Sequence, residues 1–272
     1  MTLNAEHVTF TKKKKTVVCP EPLAPLADTH AHLLSFWGKE VPETLVRAKA
    51  AGIDLLVTVF DPIADKRSVT DYSDWLTHEI LPMQDIPQIK YLAGVHPYGA
   101  PDYTDDIHAQ VVAALDDPLC AGIGEIGLDY HMDYDDDVAP APHDVQIDCM
   151  ARQLELAVRR NVPVELHLRH EDTDQERTSH TDAYNVLREV GVPQAGCVLH
   201  CFGEDRALGP YFAHPRHLCH ACADGCCQDP GRAGTVSLHA APTAKTLDSP
   251  GAPGWWFRFW WRKGFCRFAW SG

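Results

Sequence analysis

Asp28, His30 and His32 recur at every second position of the short apolar run Leu26-Ala27-Asp28-Thr29-His30-Ala31-His32-Leu33. Successive side chains of an extended strand point to opposite faces, so the carboxylate and both imidazoles project one way. Two imidazoles side by side at a strand end pack poorly against an apolar core and ligate metal well. Groups of the same kind follow along the chain. They are His96 in Gly94-Val95-His96-Pro97, Glu125 and Asp129 on one face of Gly124-Glu125-Ile126-Gly127-Leu128-Asp129-Tyr130, and His200 in Val198-Leu199-His200-Cys201-Phe202. Glu165, His167 and Arg169 alternate with Val164, Leu166 and Leu168. Histidine and carboxylate donors with no evident cysteine suit Zn, Mn, Co or Fe, with Mg as a further choice. A carboxylate shared by two such ions leaves a bridging hydroxide, a strong nucleophile near neutral pH. The chain holds 16 histidines, so an isolated one says little. The weight lies in His30, His32, His96, Glu125, His167 and His200 all falling at predicted strand ends.

The elements that must position these groups repeat. Strands are predicted over Leu26–Leu33, Asp54–Phe60, Ile89–His96, Ala121–Tyr130, Pro163–Arg169 and Cys197–Phe202. Amphipathic helical patterns lie between them at Pro42–Ala51, Ile107–Leu115 and Asp144–Arg160. In the last, Ile147, Met150, Leu154 and Ala157/Val158 recur at three- and four-residue spacing. Gly52 and Asn161 stand where a left-handed cap ends a helix. The strand ends fall 27 to 39 residues apart, the size of a βα unit. Six units in a row predict a TIM-type (β/α)8 barrel, whose active site sits at the C-terminal ends of its strands. Residues 1–25, with Lys12 to Lys15 in a row, read as a flexible N-terminal arm.

The net charge of −14 disfavours a broad basic face for nucleic acid. It leaves open a phosphodiester held through cations, which supply the local positive field. No apolar run is long enough to span a membrane, and no apolar h-region follows the lysines. Ten cysteines in a chain of this length read as reduced thiols, so a cytoplasmic location is expected.

The motifs quoted above, in that order from residue 26 to about 216, resemble the TatD-like metal-dependent deoxyribonucleases of the amidohydrolase superfamily. The helix carrying Gln146, Gln153, Leu154 and Leu156-Ala157 is similar to the family's as well. The resemblance implies a metal-dependent DNase, probing single strands or 3′ ends. By it, His30 and His32 bind a first divalent ion, Glu125 bridges, and His167 and His200 bind a second. His96 approaches the phosphate and Arg169 helps orient it. No membrane and no obligate protein partner is implied.

The family pattern also supplies a last metal-binding aspartate in a strand-end motif, and here the chain departs from it. Thr246-Leu247-Asp248-Ser249-Pro250 is a fragmentary match with no alternating apolar strand before it. Residues 217–272 carry six Lys/Arg against three Asp/Glu, five of the seven Trp, and no Glu or Ile. Cys219, Cys222, Cys226 and Cys227 lack the second regular pair of a zinc knot, and the aromatic run at Trp255–Lys263 lacks an amphipathic period. A shift of reading frame near residue 218 accounts for all of this together. Translating the other two forward frames beyond codon 217 tests it, and the absence there of a strand ending in such an aspartate would sink it. The expectation is therefore a barrel over 26–216 with its last one or two units missing, corrupted or irregular, acting as a phosphodiester hydrolase. The alternatives are an amidohydrolase of a small molecule, or a truncated and catalytically impaired product.

Overall fold

The computed structural model describes residues 9–12, 15–19, 22, 24–35, 41–133, 138–200, 217–219, 257–261 and 266–270. A first hairpin pairs β1 (Thr9–Lys12) with β2 (Lys15–Val18) antiparallel, across Lys12↔Lys15. This stretch was expected as a flexible arm; its Thr and Val residues instead favour an extended ladder.

Seven further strands form one parallel sheet. Its members are β3 (Leu26–Ala31), β4 (Ile53–Phe60), β5 (Gln88–Ala93), β6 (Cys120–Asp129), β7 (Val164–Arg169), β8 (Cys197–Leu199) and β9 (His217–Cys219). They follow one another in space in chain order. Such an order, without a reversal, is that of barrel staves rather than of a doubly wound sheet. The helices fall between successive strands: α1 (Val41–Ala50), α2 (Val69–Trp75), α3 (Asp105–Ala114), α4 (His143–Arg160) and α5 (Thr178–Val190). Together they make an α/β fold with a curled parallel sheet. Two helices had no sequence expectation. One of them, α2, begins at Ser68, whose side chain accepts from the Asp71 backbone N–H, and it continues through a π-helical turn over Leu76–Ile80. Asn161 (φ 51°) and Gly52 (φ +93°) do take the left-handed conformation after their helices.

β9 pairs with β8 at Cys197↔His217, so a strand stands where no apolar alternation is readable. Parallel ladders are made by backbone groups, which do not require that alternation. β10 (Phe257–Trp261) and β11 (Cys266–Trp270) form a separate antiparallel hairpin. Asp248, Cys201 and Phe202, and Cys222, Cys226 and Cys227, lie outside the described residues.

Two apolar clusters hold the sheet to its helices. In one, Met150, Leu154 and Ala157 of α4 pack on Ile126, Leu128 and Leu166. In the other, Phe60 stacks on Tyr72 at 4.3 Å and meets the Tyr91 edge at 6.4 Å. Two buried glutamines on α4 then fasten strand ends. Gln153 Oε1 accepts from the Val95 N–H at 2.9 Å, and its Nε2 donates to the Val95 carbonyl at 3.1 Å. Gln146 does the same for Asp129, at 2.8 and 2.9 Å. Each side-chain amide stands in for a neighbouring strand just where ladder pairing gives out, so buried backbone groups are not left unsatisfied.

Candidate metal centre

The pleat of β3 carries His30 and His32 to one place, as alternation predicts, although the strand ends at Ala31 and His32 follows it. Their Nε2 atoms lie 3.1 Å apart, and each is 3.9 Å from Glu125 Oε2. Asp28 turns aside: its Oδ1 accepts from the His30 backbone N–H at 3.1 Å. From β6, Glu125 enters where pairing with β7 shifts register between Ile123 and Ile126. Its other oxygen, Oε1, meets His167 Nδ1 at 2.8 Å and His200 Nε2 at 2.5 Å. Those two ring nitrogens are 3.2 Å apart. The rings of His30 and His200 stack at 4.2 Å and join the two sides.

Gly127 makes this approach of β6 to β7 feasible. Its φ is +143°, and a Cβ there would sit 2.0 Å from the His167 carbonyl oxygen. Only glycine fits such a conformation and such a gap.

His96 was expected at the end of β5, yet that strand stops at Ala93 and His96 begins a 3₁₀ turn over Pro97–Asp102. Its backbone N–H donates to Asp61 Oδ2 at 2.8 Å, and its Nδ1 accepts from the Tyr98 N–H at 3.2 Å. Asp61 Oδ1 also accepts from Ile63 and Ala64, which fixes the loop after β4 beside the centre. The His96 ring lies 4.6 Å from that of His167. Arg169 is exposed at the end of β7.

Two carboxylates that were not assigned roles sit behind ring nitrogens: Asp129 Oδ2 is 3.0 Å from His167 Nε2, and Glu165 Oε1 is 2.6 Å from His30 Nδ1. A third, Asp61, accepts from the His96 backbone N–H instead. Asp129 and Glu165 were legible as sharing a strand face with Glu125 and His167; the signal for Asp61 was its place directly after Phe60, at the end of β4.

Electrostatics separates the imidazoles. Burial, with His167 adding to it, pushes His96 down to about 4. Burial alone would also lower His167, but Glu125 and Asp129 override it and raise the ring to about 9. Burial opposes the ionisation of Glu125, yet His167 and His200 hold it well below the usual carboxylate range. Burial lowers His32 and raises Asp28.

These residues fit a metal. Four ring nitrogens converge in two pairs on the two oxygens of one buried carboxylate, and the backing carboxylates match those that orient ligating histidines in known metal sites. His30, His32 and Glu125 form one donor group, and His96, Glu125 and His167 another. A third cluster, His131 with Glu171 and Asp172, joins the loops after β6 and β7; there Glu171 is engaged by the Met132 and Asp172 N–H groups.

Residues 27–216 match the family described as TatD related DNase. The chain is 29% identical to the "Uncharacterized metal-dependent hydrolase TatD" of Mycobacterium tuberculosis, over 67% of this chain and 63% of that protein. It is 29% identical to the "Uncharacterized metal-dependent hydrolase YabD" of Bacillus subtilis, over 65% and 60%. It is 26% identical to the "3'-5' ssDNA/RNA exonuclease TatD" of Erwinia amylovora, over 63% and 57%. The chain thus spans less than two thirds of the length of each of these relatives.

Proposed function

The chain belongs to the TatD related DNase family, and from that premise we propose that it is a divalent-metal-dependent phosphodiester hydrolase that releases nucleotides from the 3′ ends of single-stranded DNA. The observation that carries this reading is Glu125, shared through its two oxygens by the His30/His32 pair and the His167/His200 pair. That arrangement supports two ions, drawn from Zn, Mn, Mg, Co and Fe. Bound there, they would supply positive charge to draw in a phosphodiester and polarise it towards attack by water.

The chain's own groups do the rest. His96 is held neutral by burial, and its Nδ1 already accepts from Tyr98, so its proton sits on Nε2. That N–H is the hydrogen-bond donor we assign to a phosphate oxygen. Arg169, exposed on the same strand face as His167, is assigned to a more distant phosphate. Asp129 and Glu165 keep His167 and His30 from rotating. A negative chain that would gain positive charge only from ions held at one sheet end suits a strand terminus better than the length of a duplex. The relative named a 3'-5' ssDNA/RNA exonuclease supports the same substrate class. We read the sheet as the larger part of a (β/α)8 barrel. The cytoplasm is the location we propose; no helix among the described residues is long and apolar enough to cross a membrane.

One observation favours a second reading, a chain that holds metal without turnover. The family match ends at residue 216, where the composition changes. A 5′-labelled single-stranded oligonucleotide, incubated with the chain and each of the five ions, distinguishes the two. Stepwise shortening that stops with chelator and with His30→Ala supports the first. Metal found by elemental analysis without any shortening supports the second, and hydrolysis confined to small amides or esters would place the chain among other amidohydrolase-type enzymes.

A further inference from the structure

We propose that Glu165 is a positioning residue of the metal centre, fixing the His30 ring through Nδ1 so that Nε2 is the nitrogen offered to a divalent cation. The inference rests on the metal-binding reading above. Glu165 lies within β7 and is 3% exposed, between the buried Val164 and Leu166. A carboxylate so placed has no water to satisfy it and must be paired. Its Oε1 is 2.6 Å from His30 Nδ1, the separation of a charge-assisted hydrogen bond.

Carboxylate oxygens accept, so Nδ1 carries the proton and donates it. In a neutral ring the lone pair then belongs to Nε2. That atom is the one 3.1 Å from His32 Nε2 and 3.9 Å from Glu125 Oε2. His167 is held in the mirror sense: Asp129 takes its Nε2, and its Nδ1 faces Glu125. The two histidines thus present opposite ring nitrogens, each backed by its own buried carboxylate. Glu165 and His167 are two residues apart on β7, so one strand face supplies a ligand to one half of the centre and the orienting group to the other.

Charge points the same way. Two divalent ions would bring four positive charges, against which Glu125 offers a single negative one. Glu165 and Asp129, each at hydrogen-bond distance from a ring nitrogen of His30 or His167, add negative charge around them.

The full chain, stripped with chelator, is titrated with Zn2+ and with Mn2+ by calorimetry, alongside Glu165→Gln. Gln keeps the shape and an accepting oxygen but removes the charge. The expected result is affinity weaker by about 10- to 100-fold at one site, with the other unchanged. In parallel, 15N spectra of the metal-free wild type report the ring tautomers, and His30 is expected to carry its proton on Nδ1. Unchanged affinity with a lowered melting temperature would mean a purely structural ion pair, and would overturn the proposal. So would a His30 proton on Nε2, a readout that stands even if Glu165→Gln does not fold. A wild-type chain that binds neither ion would instead overturn the metal reading beneath it, while the tautomer is still decided by the spectra.

Discussion

Replacing Gly127 by Ala is expected to unseat β6 from β7 and take the metal centre with it. Two costs combine at this position. The backbone has φ +143°, where an L side chain is strained, and the new Cβ would lie 2.0 Å from the His167 carbonyl oxygen and 3.0 Å from its backbone nitrogen. No rotamer relieves either contact, because the atom is Cβ and its neighbours are backbone. Strain and overpacking together cost about 3–5 kcal/mol. For a chain of this size that lowers the melting temperature by about 10 °C. Gly191→Ala is the control. Its φ is +99°, but nothing lies within 4 Å of its added Cβ, so only the strain is incurred. That costs about 1–2 kcal/mol. The strands can part only by lengthening the 2.8 Å contact between Glu125 and His167, so Gly127→Ala is also expected to lose metal affinity, and Gly191→Ala to retain it. Thermal denaturation of both variants, with calorimetric metal titration below the transition, tests this. If the two variants melt alike, the close approach of the strands is not what requires glycine at 127, and the reasoning fails.

The metal-free protein is expected to lose stability as pH rises from about 6.5 towards 9, because His167 is raised to about 9 in the fold by Glu125 and Asp129 against burial. Its contribution is fully present below the unfolded value near 6.5 and disappears above the folded one, so a melting temperature that climbs across this window would contradict the ion pairing. Gln153→Leu is expected to cost about 2–4 kcal/mol in urea denaturation, since it strands the buried Val95 N–H and carbonyl. It should also loosen His96, the next residue, so an unchanged unfolding midpoint would show that the amide is not what holds this strand end.

The parts of this molecule legible from its sequence are those fixed by local periods. Alternation over residues 28–32 and 165–169 determines which face each side chain takes, and the contacts of His30, His32, Glu165 and His167 agree with it. The three-and-four spacing in α4 likewise placed Met150, Leu154 and Ala157 on its buried side. Less was visible where a short element lacks that period. α2 is seven residues long, with only the Ser68-Val69-Thr70-Asp71 cap to announce it. β9 is three residues long and pairs with β8 through its backbone.

Partnership across the sheet is not a local property, and this is why the carboxylates escaped assignment. Period two says that Glu165 faces the same way as His167; it does not say that His30, 135 residues earlier, lies within 2.6 Å. The same holds for His96. An apolar run through Val95 suggests a strand that ends in histidine, but β5 stops at Ala93 because the chain beyond it is pinned by groups from elsewhere. Asp61 takes the His96 N–H from the end of β4, and Gln153 takes both backbone groups of Val95 from α4. A residue aimed by a strand can be read from its neighbours in sequence. One aimed by a loop is placed by whichever distant side chains satisfy that loop's backbone, and those become visible only when the chain is folded.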